Sequence, residues 1–324
     1  MRLRMIKNLS ILLLILVCLS GVANLSQAQE ERPVGPVIEK GGVLLRKGQL
    51  QLEPSFLYAH FSKNRLVLTG FTIPPILVVG EIIVEEIKRD ILISSLTLRY
   101  GILSSLEAEL KVPVRYQNDL YITPSVPTQE RVDDFGIGDV EGALYYQILY
   151  EHGARPDLIA SLRVKSKTGK EPYGLETDVA GHFVDELPLG TGHWGVKGGL
   201  TFCRTSDPAI LYGSVAYFYN IERDIHGVEI DPGDTIEYSL GIAYALNYQV
   251  SLNIGIQQRW TGRTKRNGTK VAGTSLNVAQ LQAGVTWAIS KNTVLDCTLN
   301  FGLTEDSPDI TVEFRLPLML KGRR

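Results

Sequence analysis

The sequence predicts an all-β fold, an antiparallel, up-and-down transmembrane β-barrel of about twelve strands behind a cleaved N-terminal signal peptide. Three observations carry that expectation. Apolar and polar residues alternate with period two along the chain, with no sustained 3.6-residue apolar period. The connections between alternating stretches switch regularly between long and short, as periplasmic turns and outer loops do. The first residues have the build of an export signal.

That signal comes first in the chain. Arg2, Arg4 and Lys7 make a positive start, and ILLLILVCL (11–19) is an apolar run too short to span a bilayer. Ser26-Gln27-Ala28 sets small residues at −3 and −1, so cleavage is expected after Ala28, while the bulky Val17 argues against a lipoprotein signal at Cys18. Without residues 1–28 the chain holds 30 Lys+Arg and 35 Asp+Glu, formally −5, which excludes the basic footprint of a nucleic-acid binder. Cys203 and Cys297 remain, one facing inward and one outward by strand parity, so no disulfide framework is expected. Residues 29–47, with Pro33, Pro36 and Gly41-Gly42, read as a periplasmic segment that lies free or partly plugs the bore. Residues 48–320 read as the barrel and 321–324 as a basic tail.

The strands fall at 49–61, 90–101, 105–117, 137–150, 157–169, 192–204, 209–221, 235–246, 249–261, 276–289, 293–303 and 310–320. Their lengths suit a tilted membrane strand, which needs about 9–11 residues. In 105–117, Leu106, Ala108, Leu110, Val112 and Val114 alternate with Glu107, Glu109, Lys111 and Arg115. In 157–169, Leu158, Ala160, Leu162 and Val164 alternate with Arg163, Lys165 and Lys167. The polar sets continue with Glu237 in 235–246, Asn253 and Gln257 in 249–261, and Gln280 and Gln282 in 276–289. Asp296 and Asn300 follow in 293–303, then Glu313 and Arg315 in 310–320. These are the expected lumen-lining residues. A one-residue slip of strand 105–117 would put its charges into hydrocarbon at about 2–4 kcal/mol each near the midplane, so the register is firmly set.

Alternation alone also suits a soluble sandwich. Three features favour lipid outside. The apolar faces are mostly Leu, Ile, Val and Tyr, small residues crowd the polar faces, and the loops are asymmetric. The connections run long at 62–89, short at 102–104, long at 118–136, short at 151–156, and so on to the short turn at 290–292. Tyr100, Tyr150, Tyr244 and Trp287 each precede a short turn and would form an aromatic belt at one membrane interface.

The stretches YGILSSLEAELKVPV (100–114), FGIGDVEGALYYQ (135–147) and LPLGTGHWGVKGGL (187–200) resemble signatures of the phenol-degradation meta-pathway-like (MetA-type) outer-membrane transporters. The resemblance covers roughly residues 48–320 and implies a barrel that passes small, often aromatic or apolar, compounds. The chain departs from the usual pattern at its end, where LKGRR stands in place of a terminal aromatic.

Other features carry less. The glycines of 135–142 open a strand, so they lack the helix N-terminus that a phosphate loop needs. DIHGVEIDPGD (224–234) is an acidic outer loop without EF-hand spacing, and TGRTKRNGTK (261–270) is a basic one. RLVLTGFTIPPILVVGEIIVEEIK (65–88) is apolar, and Pro74, Pro75 and Gly80 turn it into a hairpin rather than a helix. His60-Phe61-Ser62 at the outer end of the first strand gives a nucleophilic reading its foothold, but a third, orienting group and an oxyanion donor are not identifiable in the sequence.

The expectation is therefore an outer-membrane barrel, not an enzyme, for passive transport of small aromatic or amphipathic solutes through a narrow charged lumen. The alternatives are a non-transporting structural or adhesive barrel acting through its outer loops and, more remotely, a lipid-active hydrolase. The expected partners are outer-membrane lipid and lipopolysaccharide, a small-molecule solute and the barrel-assembly machinery, with no nucleic acid. No cofactor or metal is expected.

Overall fold

A computed structural model describes residues 44–63, 67–68, 71–72, 86–122, 129–173, 186–290 and 292–321. The barrel segments are β1 (Leu50–Lys63), β2 (Glu86–Leu103), β3 (Leu106–Ile122), β4 (Gln129–Ile137), β5 (Glu141–Leu149), β6 (Asp157–Lys165) and β7 (Gly195–Ser206). They continue as β8 (Ala209–Asn220), β9 (Thr235–Ala245), β10 (Val250–Thr261), β11 (Leu276–Ser290), β12 (Thr293–Gly302), β13 (Ile310–Arg315) and β14 (Leu318–Lys321). These segments join in one antiparallel sheet. They make a closed barrel of twelve walls, because β4 with β5, and β13 with β14, each form one wall. β1 closes the barrel against β13, from Ser55↔Arg315 to His60↔Ile310. Closure satisfies the ladder hydrogen bonds within the sheet, the condition a β structure must meet to cross a bilayer.

The distribution of side chains is inside out relative to a soluble protein. Glu107, Gln117 and Asp119 are fully buried, while Leu110, Leu162, Leu240, Ile242, Ile254 and Ile256 are each about half exposed around the outside. A soluble monomer rarely exposes a contiguous apolar patch beyond a few hundred Å². A girdle of Leu, Ile, Val and Tyr on this scale therefore faces lipid.

Two walls are broken, each at a proline. Pro113 in β3 has no N–H to donate, and opposite it the chain leaves the strand at Gly138–Val140, held by Gly138 N–H donating to the Pro113 carbonyl at 2.9 Å. A Cβ on Gly138 would stand 3.1 Å from Pro113 Cγ, so the close approach favours glycine. Pro317 separates β13 from β14 in the same way.

The structure corrects the expected connections in three places. The loop predicted at 118–136 is largely strand: β3 runs to Ile122 and pairs with β4 from Val114↔Ile137 to Ile122↔Gln129. The wall predicted as continuous over 137–150 is interrupted at the Pro113 site. In 65–88, Val67–Leu68 pairs with Phe71–Thr72, ahead of the prolines, and Glu86 already belongs to β2. The remainder of that segment lies outside the described residues, as do the signal peptide and residues 29–43.

Ile254, 58% exposed near the middle of β10, separates lipid from water as the outer solvent. Ile254→Arg is expected to destabilise the barrel folded in lipid vesicles by about 2–4 kcal/mol, measured by urea titration. A water-facing exterior would give a change within about 0.5 kcal/mol.

Candidate functional site: the barrel lumen

Inward-facing residues divide the lumen into a filled side and an open side. The filled side lies along β2, β3, β5 and β6. There Glu107 accepts from Arg99 Nε at 2.6 Å, and Glu109 accepts from Arg163 at 2.7 Å and from the Tyr145 hydroxyl at 3.2 Å. Arg163 also reaches Glu141 at 2.6 Å. Further from the short turns, Arg89 Nε donates to Asp119 at 2.7 Å, and Arg115 donates to Gln117, which donates to Asp119. Arg99, Arg163 and Arg89 are tolerable here because each meets a carboxylate through a hydrogen bond, while Arg115 is held by the Gln117 amide.

The open side holds a cavity of about 320 Å³. One wall is apolar and consists of Leu57, Ala59 and Phe61 of β1 with Ile91 and Ile93 of β2. The facing wall is polar. Gln257 Nε2 donates to Gln280 at 2.6 Å, and Lys197 and Arg259 share Glu237 at 3.0 and 2.8 Å. Arg315 pairs with Asp296, which also accepts from Thr286 Oγ1 at 2.9 Å. The buried Oδ1 atoms of Asn253 and Asn300, both on the cavity, have no hydrogen-bond partner among the described residues.

Of the residues singled out from the sequence, Arg163, Glu237, Asn253, Gln257, Gln280, Gln282, Asn300, Glu313 and Arg315 line this cavity. Glu107, Glu109, Arg115 and Asp296 share the inward face but are spent in the paired network. Lys111 stands between Thr97 and Glu141 in the ladder. Lys165 is held by Thr191 and by Asp139 at 3.7 Å. Lys167 differs from expectation: β6 ends at Lys165, and Ser166 and Thr168 turn the chain onto the carbonyls of Val140 and Gly138, leaving Lys167 exposed outside the wall. Tyr100, Tyr150, Tyr244 and Trp287 are all exposed near the short-turn end.

Sequence reasoning missed Lys197, Arg259 and the apolar wall. Arg259 was available by extending the Asn253–Gln257 parity by one step. Leu57, Phe61 and Ile91 give no such signal, because apolar residues on both faces of β1 and β2 blur the alternation.

Chain segments enter both mouths. At the short-turn mouth Leu44 packs with Ala143, Tyr145 and Ile159, and Leu45 N–H donates to Glu107 Oε2 at 2.8 Å. A Cβ on Gly101 would fall 2.2 Å from the Arg46 carbonyl oxygen, so this close passage requires glycine. At the long-loop mouth Leu187 packs on Tyr121 and Val132. Asp139 anchors that loop by accepting from Gly169 N–H at 3.0 Å and Thr191 N–H at 2.9 Å. His193, 1% exposed, donates through Nδ1 to the Ile221 carbonyl at 3.0 Å and accepts from the Tyr173 hydroxyl at 2.8 Å. The acidic residues of 224–234 are engaged locally, Asp224 by Gly227 N–H and Asp231 by Lys265 at 2.8 Å.

A closed barrel with a lipid-facing exterior and a charged interior defines an outer-membrane β-barrel. The chain belongs to the family described as "Putative MetA-pathway of phenol degradation", whose model matches residues 84–319. Among solved structures it is similar to an outer membrane channel from Pseudomonas putida F1, with 14% identity and a TM-score of 0.63 over 89% of this chain and all of that one. The Ralstonia pickettii toluene transporter TbuX matches at 12% identity and TM-score 0.43, over 86% of this chain and 90% of that one. The P. putida toluene transporter TodX matches at 9% and 0.41, over 86% and 91%. At these identities the first likeness speaks for the fold alone.

Burial pushes the His193 imidazole below its ordinary value. A histidine depressed on folding contributes stability that is complete above its unfolded value of about 6.5 and lost as the pH falls. Limited proteolysis of the folded barrel is therefore expected to cut within 187–193 faster at low pH than at neutral pH. Equal rates would show that His193 does not secure the loop.

Proposed function

We propose that this protein is a passive outer-membrane channel for small aromatic or amphipathic solutes. The observation that carries the reading is the two-sided cavity. Its volume of about 320 Å³ lies at the lower end of small-molecule pockets. A flat apolar ring lies against Leu57, Phe61, Ile91 and Ile93 while hydroxyl, amide or carboxylate groups meet the Gln257–Gln280 wall and Arg315. The inward cations are matched by carboxylates along the wall, which favours orientation of a solute over strong ion selectivity. Tyr100, Tyr150, Tyr244 and Trp287 act as interfacial anchors, and the exposed Arg263, Arg266 and Lys270 meet lipopolysaccharide phosphates. Residues 1–28 act as the export signal, and the barrel-assembly machinery inserts the mature chain.

Flux into vesicles containing the folded barrel tests the reading, comparing benzoate with glucose. Benzoate is expected to enter several-fold faster than in protein-free vesicles, and Arg315→Gln to reduce that advantage. Benzoate flux equal to that of protein-free vesicles would contradict transport.

The segment at 44–49 acts in this reading as a partial plug on the periplasmic side. Gly101→Val removes the room for the Arg46 carbonyl and is expected to raise single-channel conductance about as much as deletion of 29–49 does. No change in either variant would show that the segment does not limit the bore.

A further inference from the structure

The outward face of β1 and β2 carries a constellation that the channel reading does not use. His60 Nδ1–H donates to Asp90 Oδ1 at 2.8 Å, and the Tyr58 hydroxyl donates to the same oxygen at 2.6 Å. The ladder pairs His60 with Asp90 and Ser62 with Lys88, so all four side chains share one face. Asp90 is the orienting group that the sequence leaves unidentified. With Nδ1–H committed to the carboxylate, Nε2 is the basic nitrogen, in the tautomer a general base requires. His60 and Asp90 keep 33% and 46% of their side-chain surface, so the pair is reachable from outside the barrel.

Its height in the membrane is informative. Tyr100, paired with Leu50 beside a short turn, marks the periplasmic interface. Asp90 lies ten residues up the same strand, about 25 Å along the membrane normal at ordinary strand rise and tilt. That is the thickness of the apolar band of an outer-membrane barrel. The constellation therefore sits at the opposite interface, where the acyl esters of outer-leaflet lipids lie.

An apolar groove of about 710 Å³ lies lower on the same outer face, across β13, β1, β2 and β3, lined by Pro54, Phe56, Leu96, Val114 and Phe314, with small Ser94 opening a notch opposite Phe56. His60 stands four residues beyond Phe56 on β1. The groove faces the bilayer core and ends at Phe56 and Ser94, with the Tyr58–Leu92 pair between it and His60–Asp90, so an acyl chain whose ester lay at Ser62 would run down the same outer face toward the groove.

We propose that this face is an acyl-ester hydrolase site for membrane lipids, with Ser62 as nucleophile, His60 as general base and Asp90 as the residue that positions His60. Ser62 Oγ attacks the ester carbonyl carbon as its proton passes to His60 Nε2. The carbonyl–oxygen bond to the lipid alcohol breaks, and His60 returns the proton to the leaving oxygen. Water then attacks the acyl-serine by the same route, releasing the fatty acid and restoring Ser62. Lys88, opposite Ser62 in the ladder, supplies positive charge for the oxyanion. The proposal does not depend on the channel reading, since β1 and β2 turn different residues to the lumen.

The test uses the full folded barrel with an alkyl fluorophosphonate, reading the modified residue by peptide mass, and with vesicles of phosphatidylethanolamine or of lipid A, reading fatty acid released. Labelling at Ser62 and release from at least one vesicle type are expected, and the responding vesicle names the lipid. Ser62→Ala should abolish both, and His60→Ala should lower both at least about 10²-fold. Asp90→Asn should lower release with Ser62 still present and shift its pH profile, as a purely structural carboxylate would not. Each variant should keep the heat-modifiable mobility of a folded barrel. An unlabelled Ser62 with no release from either vesicle, or release that persists in Ser62→Ala, overturns the proposal.

Discussion

The structure depends on one constraint: the surface that meets hydrocarbon offers nothing to hydrogen-bond. Every backbone group must be paired within the sheet, and every charge must turn inward. Strand periodicity makes this possible with a single decision, since fixing the face of one residue fixes that of every second neighbour. The inward charges then need partners, and the chain supplies them from neighbouring or next-but-one walls: Arg99 with Glu107, Arg163 with Glu109 and Glu141, Arg89 with Asp119, Arg315 with Asp296. Where this pairing is dense, on the β2–β6 side, the lumen is filled. Where walls carry glycine, serine and amides, as along β9–β11, space remains. The cavity is thus the consequence of how the interior charges were satisfied.

Much of the fold was legible because both signals behind it are local. Alternation in 105–117 or 235–246 needs no knowledge of neighbours, and a short turn beside Tyr244 or Trp287 marks its own end of the barrel. The two broken walls were less visible. Pro113 lies within the alternating stretch 105–117, and its effect falls on Gly138, a residue in a different wall. The protruding β3–β4 hairpin was hidden for a related reason, as Asp119, Asp133 and Asp134 read as loop although Arg89 and Lys170 satisfy two of them. Inward orientation was readable, but access to the cavity was not. Arg115 and Arg163 look alike in sequence, and only the folded walls decide that Arg163 borders the space while Arg115 is buried against Gln117 of its own strand.

Asp90 illustrates the same limit at the outer surface. Its meaning depends on the register Tyr58↔Leu92 and His60↔Asp90, a property of two strands separated by a long connection. The same register keeps two chemistries apart. Odd-numbered residues of β1 and β2 give the cavity its apolar wall, and even-numbered ones give the membrane face its polar head and apolar groove. Substitutions can therefore be placed on one face without changing a side chain of the other.

The central claim is that alternate residues of a wall meet lipid and an aqueous lumen. Adjacent single cysteines in a background with Cys203 and Cys297 replaced by serine test it directly. At Ser239 and Leu240 of β9, one residue lines the cavity and its neighbour is 48% exposed on the outside. A small, charged thiol reagent should modify the cysteine at 239 and spare 240, while a lipid-borne quencher should reach a label at 240 and not at 239. Modification of 240 by the charged reagent, with 239 protected, would mean that water lies outside the barrel and would contradict the account.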